Sequence, residues 1–272
     1  MSLRKVLIKL GGTLLDAPDS RLRLAGEIAN AAANPNLHIV VVHGGGKQMT
    51  RYLAERGVES RFVNGLRVTT PDIIDAVLKV FAGNVNAELV TAFRAAGSRP
   101  VGLTGLDAGL VDAELLSPDL GQVGKPVHSD ARLLNLLTEN SYLPVVACVA
   151  GDARGNVYNV NADQMAVACA ASFAAESLVF LTDVDGVRDK QGVICPTLTC
   201  QQAATLIREG VATGGMQAKL EAAIEALTKR DALGKRDALG KGVGEVLIAP
   251  GALEGVVGRL LDRQALGTRL VL

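Results

Sequence analysis

The chain has 272 residues, 49% of them apolar, which is enough for one large domain or two fused lobes around a sizeable core. Its 28 Lys and Arg balance 28 Asp and Glu, which argues against a general nucleic-acid or membrane-surface binder and leaves room for a local basic pocket. The 3% aromatic content and the absence of Trp argue against a base-stacking platform for single strands too.

No segment has the apolar length of a membrane span or of a signal peptide's central region. The cysteines at 148, 169, 195 and 200 form no Cys-x-x-Cys pair and read as reduced and structural, so a cytoplasmic setting is expected.

In chain order, residues 6–10 read as a strand that turns at Gly11-Gly12. Residues 20–34 have helical periodicity, with Asp19 or Ser20 as the cap. Residues 37–42 are a buried strand followed by Gly44-Gly45-Gly46, and a helix is expected over 47–56. Thr70-Pro71 is a strong helix start, with Thr as cap and Pro at the first helical position. That helix is expected to reach about Ala96, to end at Gly97 and to break near Gly83.

Residues 100–103 form a further strand, the glycine-punctuated stretch 105–127 suggests hairpins, and 129–140 is helical before a strand at 143–149. A small hairpin is expected over 151–159, an alanine-rich helix over 161–175 and a strand over 178–181. Helices follow near 201–209 and 215–229, then a strand at 246–248 and an edge strand at 269–272. Such alternation predicts a largely parallel sheet with helices on both faces. The hexapeptide Lys-Arg-Asp-Ala-Leu-Gly at 229–234 recurs at 235–240 and reads as a local duplication in a surface helix or loop, since two copies are too few for a solenoid.

Six motifs carry chemistry. Lys9-Leu10-Gly11-Gly12 ends the first strand, where ligands of open parallel sheets bind. The glycines let backbone N–H groups approach an anion, and Lys9 adds a full charge. His43-Gly44-Gly45-Gly46-Lys47 follows the second strand, and a glycine-rich helix start is a ready anion site. His43 itself reads as structural. Neither motif is a phosphate-binding P-loop, because Gln48 follows Gly46-Lys47 and Val41 stands where the first glycine belongs. The dinucleotide fingerprint is absent as well, so any ATP must sit in another kind of cradle.

Asn64-Gly65-Leu66-Arg67-Val68-Thr69 offers an Arg fork suited to a carboxylate, although alone it reads as a surface Arg after a turn. Asn159-Val160-Asn161-Ala162-Asp163 opens a helix: its asparagines serve equally as caps or ligand contacts, and Asp163 as a dipole partner or as an organiser of nearby lysines. Leu181 to Val187 follows an apolar strand and suits a nucleotide-contacting loop; its spacing lacks the later ligands of a calcium loop. Thr213-Gly214-Gly215-Met216-Gln217-Ala218-Lys219 enters a helix with free N–H groups and a lysine one turn in.

Together, and in this order, the six motifs resemble the amino-acid kinase family over essentially the whole chain. The Gly-Leu-Arg-Val-Thr and Asn-x-Asn-Ala-Asp segments are the most discriminating. The resemblance implies a three-layer αβα sandwich with a mainly parallel central sheet, its N-terminal lobe (about 1–175) binding substrate and its C-terminal lobe (about 176–272) binding nucleotide. It implies ATP-dependent phosphorylation of the γ-carboxylate of N-acetyl-L-glutamate, a step of arginine biosynthesis, with Mg²⁺ carried by ATP rather than by a protein metal site.

Carried over by residue, Lys9 and Lys219 would stabilise the transferring phosphoryl group and Asp163 would organise them. Gly44, Gly45, Arg67 and Asn159 would bind substrate. Gly11, Gly12, Thr182, Asp183, Val184, Asp185, Gly186, Val187, Gly214, Gly215 and Met216 would line the nucleotide.

Arginine-inhibited members carry an extra N-terminal helix. Here the first strand begins almost at once, so a homodimer that arginine does not inhibit is expected, with no nucleic-acid or membrane partner. The duplicated hexapeptide is foreign to the family pattern, and whether a regulatory protein binds is not legible. The competing expectations are a related kinase acting on carrier-protein-linked aminoadipate or glutamate, and a non-catalytic nucleotide-binding protein of the same fold.

Overall fold

The computed structural model describes residues 3–228 and 243–272, so the duplicated hexapeptide lies outside the described residues. The chain opens with β1 (Arg4–Leu10), α1 (Gly12–Asp16), α2 (Pro18–Ala32), β2 (Leu37–His43) and α3 (Gly46–Ala54). A short ribbon of β3 (Phe62–Val63) and β4 (Leu66–Arg67) leads to α4 (Pro71–Val77), a π-helical segment (Leu78–Val85) and α5 (Asn86–Ala95). Then come β5 (Pro100–Thr104), β6 (Val111–Leu115), β7 (Val123–Ser129), α6 (Arg132–Glu139), β8 (Leu143–Ala147), β9 (Val149–Gly151), β10 (Val157–Val160) and α7 (Ala162–Phe173). The remainder is β11 (Ser177–Thr182), β12 (Thr197–Thr199), α8 (Cys200–Arg208), α9 (Gly214–Thr228), β13 (Glu245–Pro250), α10 (Val256–Leu261) and β14 (Thr268–Val271).

An eight-stranded sheet runs β12-β14-β13-β11-β1-β2-β8-β5, with every neighbouring pair parallel except β13 and β14. Its central strands are near-continuous apolar runs, as strands covered on both faces must be. β11 is buried at all six positions. Helices α2, α5 and α10 pack together on one face; α6, α7, α8 and α9 cover the other. From β1 the chain passes to β2, then to the edge strand β5, fills the gap between them with β8, and later places β11 on the opposite side of β1. The strand order therefore reverses between β1 and β11, and the crevice at their carboxyl ends is where open α/β sheets bind ligands.

Several sequence expectations change. Gly11 alone makes the first turn, because α1 starts at Gly12. The second helix begins at Pro18, not Ser20; proline's fixed φ suits the first helical position, and Ala17 stands as a cap without a side-chain hydrogen bond. The long helix ends at Gly97 (φ +87°) but does not break near Gly83; it passes there into the π-helical segment. The last strand is not an edge, since β12, which sequence periodicity missed, pairs outside it. The expected hairpins at 105–127 and 151–159 instead close on each other, β6, β7, β9 and β10 forming a small barrel.

Candidate active site

Lys9 is the next-to-last residue of β1, and Lys219 lies in the second turn of α9. Their ammonium groups converge on one carboxylate in the first turn of α7: Lys9 Nζ is 2.7 Å from Asp163 Oδ1, and Lys219 Nζ is 3.0 Å from Asp163 Oδ2. Lys9 and Asp163 are each 6% exposed. Burial alone would raise the Asp163 carboxyl, but the charges and hydrogen bonds of Lys9 and Lys219 outweigh it and hold the group below its ordinary value. Asn161 positions the aspartate by capping α7, its side chain accepting from the N–H of Asp163 at 2.9 Å and of Gln164 at 3.3 Å.

Beside the lysines opens a cleft of about 480 Å³ lined by Lys9, Gly11, Gly12, the Gly44-Gly45-Gly46 turn, Arg67, Asn159, Thr182, Asp183 and Lys219. The glycine turns after β1 and β2 meet here: a Cβ at Gly12 would lie 3.6 Å from the Gly46 nitrogen. Gly45 has no room for a side chain, since a Cβ would come within 2.7 Å of the Phe81 ring. The cleft thus combines two cations, bare backbone and the start of α3, a set suited to polyanions.

Arg67 is 7% exposed and held over the Phe62 ring at 4.7 Å. Its Nη2 donates to the Gly46 carbonyl at 3.0 Å and to Thr50 Oγ1 at 2.8 Å, and its Nη1 donates to Ser60. The Arg is therefore a braced member of the cleft wall, not a free surface residue. Asn159 donates to Thr69 Oγ1 at 3.0 Å. Asp183 at the mouth is held low: burial would raise it, but backbone and side-chain hydrogen bonds, among them Thr182 and Thr13, and the Lys219 charge prevail.

Not every expected residue reaches the cleft. Val184 is 39% exposed, and Asp185 pairs with Arg188 on the surface at 3.3 Å. Val187 is wholly buried and its N–H donates to Thr268 Oγ1 at 2.8 Å, while Gly186 packs against the same threonine. Gly214 and Gly215 are exposed and Met216 half-buried, flanking the cleft at the start of α9 rather than lining it.

Sequence reasoning missed Thr13, Thr50, Phe62, Phe81 and Cys148 as lining residues and named Lys47 in the triple-glycine motif without giving it a role. The Cys148 thiol is pushed up to about 12 by burial, so it is a neutral wall group. The five missed residues belong to no motif of their own, and no spacing in the sequence points to them.

Residues 4–233 match the model of the amino acid kinase family. The chain belongs to that family. An acetylglutamate kinase of Solibacter usitatus (strain Ellin6076) is 57% identical over 98% of this chain and 99% of its own. One from Bartonella tribocorum is 39% identical over 98% of this chain and 89% of the relative. The smu.665 protein of Streptococcus mutans UA159 superposes with a TM-score of 0.79 at 28% identity, covering 98% of both chains. An N-acetylglutamate synthase from Neisseria gonorrhoeae, solved with coenzyme A and N-acetyl-glutamate, superposes at 0.82 over 60% of its chain, and its 23% identity speaks to fold alone. The αβα architecture is that of the family.

Proposed function

We propose that this chain transfers the γ-phosphoryl group of ATP to the side-chain carboxylate of N-acetyl-L-glutamate, giving N-acetyl-L-glutamyl 5-phosphate and ADP, a step of arginine biosynthesis. The observation that carries this reading is the convergence of Lys9 and Lys219 on Asp163 where the two glycine turns meet. Full-length similarity to acetylglutamate kinases supports the choice of acceptor.

A carboxylate is ionised at pH 7, so the reaction needs no general base. A carboxylate oxygen attacks the γ-phosphorus in line, the bond to the β–γ bridging oxygen breaks, and the electron pair leaves on ADP. The obstacle is bringing one anion up to another, so positioning and charge stabilisation carry the catalysis. Lys9 and Lys219 supply that charge from opposite sides, and Asp163 lets two ammonium groups share a small volume. Each well-placed donor in such a site contributes about 3–4 kcal/mol. Mg²⁺ accompanying the nucleotide adds positive charge at the phosphates. In this reading Arg67, Asn159 and the Gly44-Gly45 backbone hold the amino acid. The nucleotide runs from Gly11-Gly12 past Thr182 and Asp183 toward Val184, Asp185 and the start of α9 at Gly214 to Met216, with Gly186 and the buried Val187 anchoring that loop from beneath.

The N-terminal lobe would then be the substrate side and the C-terminal lobe the nucleotide side, in a cytoplasmic homodimer. Among the described residues no helix is long and apolar enough to cross a membrane. The test is ADP release with N-acetyl-L-glutamate, L-glutamate, L-aspartate and carbamate in parallel, with hydroxylamine trapping of the acyl phosphate. Turnover and hydroxamate with the acetylated substrate alone are expected; ATP binding without acceptor-dependent turnover would overturn the reading.

A further inference from the structure

His43 is the last residue of β2 and is wholly buried beneath the glycine turn, yet it lies outside the set that would touch substrate. Its Nδ1 lies 2.9 Å from the Gly44 carbonyl oxygen, and its Nε2 lies 3.0 Å from the side-chain nitrogen of Asn86, the first residue of α5. The same Asn86 nitrogen lies 2.9 Å from the Val145 carbonyl. A carbonyl accepts only, so Val145 fixes the amide with its NH₂ inward. That group then donates to the imidazole, Nε2 must accept, and the ring proton resides on Nδ1. The Nδ1–H therefore donates to Gly44. Burial pushes the His43 imidazole down to about 4, in keeping with a neutral ring that accepts at one nitrogen and donates at the other.

The Gly44–Gly45 peptide is trans, so pinning its carbonyl in one direction aims the Gly45 N–H in the other. Gly44 and Gly45 line the cleft, and among the described residues the Gly45 N–H has no acceptor within the protein. From below, a Cβ at Gly45 would strike Phe81 at 2.7 Å and Val85 at 3.2 Å, so the turn also rests on the π-helical segment that ends at Val85, next to Asn86.

We infer that His43 and Asn86 are a positioning pair: Asn86 selects the Nδ1–H tautomer of His43, His43 clamps the Gly44 carbonyl, and the clamped peptide presents the Gly45 N–H to the anionic reacting groups. The inference rests on the proposed reading that a carboxylate and a phosphoryl group meet in this cleft.

The test has two arms. In the first, imidazole ¹⁵N spectra are recorded on the whole unliganded protein at pH 7, with the His43 signals assigned by their loss in His43→Asn among only 3 histidines. Protonated Nδ1 and bare Nε2 are expected, and the opposite tautomer would overturn the pair. In the second arm, His43→Asn, whose amide can still reach the Gly44 carbonyl, is compared with His43→Leu, which fills the space without a donor. The loss of one aimed N–H predicts a fall of about 10²-fold in kcat for the Leu variant, against about threefold for the Asn variant, with KM for ATP nearly unchanged in both.

Equal losses in the two variants, or losses that follow their melting temperatures, would overturn the inference. If the parent enzyme did not turn over N-acetyl-L-glutamate, the substrate reading would fall, while the spectra would still decide the tautomer on which this pair depends.

Discussion

Two ammonium groups within hydrogen-bonding distance of one buried carboxylate divide their roles by reach. Lys219 is the more exposed, its side chain 16% accessible against 8% for Lys9, and it approaches from a different element. In the proposed reading Lys219→Ala removes a charge that acts as the phosphoryl group transfers, so kcat is expected to fall about 10²-fold or more with a smaller change in KM. Steady-state kinetics with both substrates varied would check this, and near-normal turnover would remove Lys219 from the chemistry. Arg67→Ala should act differently, raising KM for the amino acid and leaving KM for ATP unchanged. Asp163 adds a pH signature. Its carboxyl lies below the ordinary 3.8 in the folded state, so its ionised form stabilises the fold fully above that value. That contribution is lost as pH falls through the folded value. The stability gap between the parent and Asp163→Asn, measured by denaturant unfolding, should therefore narrow below about pH 4. A gap that stayed constant or widened toward acid would mean that Asp163 is not held by the lysines.

Among the elements, the π-helical segment stands out because it underlies the glycine turn. Each π-turn carries an extra residue; such turns are rare and frequently lie at functional sites. Here it sets Phe81 and Val85 against Gly45 and delivers Asn86 to His43. Gly45→Ala would push a methyl group into the Phe81 ring and should cost about 1–3 kcal/mol as overpacking. Phe81→Leu should recover part of that loss in the double variant, and a thermal-melt double-mutant cycle reads the coupling. Purely additive effects would mean that the two residues do not support each other.

The glycine turns were legible in sequence because runs of glycine at strand ends have few structural uses. The lysines were legible because each neighbours such a run. The π-segment was not: its residues have ordinary helical periodicity, and Gly83 pointed to a break instead. The barrel of β6, β7, β9 and β10 was legible only as separate hairpins, because its closure depends on pairing between segments distant in sequence. Arg67 was legible as an arginine fork suited to a carboxylate, but its bracing by Ser60 and Thr50 was not, since serine and threonine occur everywhere in loops.

At the scale of the whole molecule, the reversal of strand order between β1 and β11 brings residues from two halves of one chain into one cleft. Lys9 and Asp163 come from the first 175 residues and Lys219 from the remainder, so the Lys219–Asp163 contact at 3.0 Å bridges the two proposed lobes. In the proposed reading the amino-acid contacts belong to the first half and most nucleotide contacts to the second. This division predicts separable ligand effects on stability. A ligand at one hundred times its Kd stabilises the native state by about 2.7 kcal/mol. In a chain of this size that raises Tm by several degrees, at roughly 2–4 °C per kcal/mol. N-acetyl-L-glutamate and a non-hydrolysable ATP analogue should each raise Tm separately. Lys219→Ala should shrink the nucleotide shift and spare the amino-acid shift, whereas Arg67→Ala should do the reverse. If either variant lost both shifts equally while keeping its unliganded Tm, the two ligands would share one subsite and the division of labour between the halves would fail.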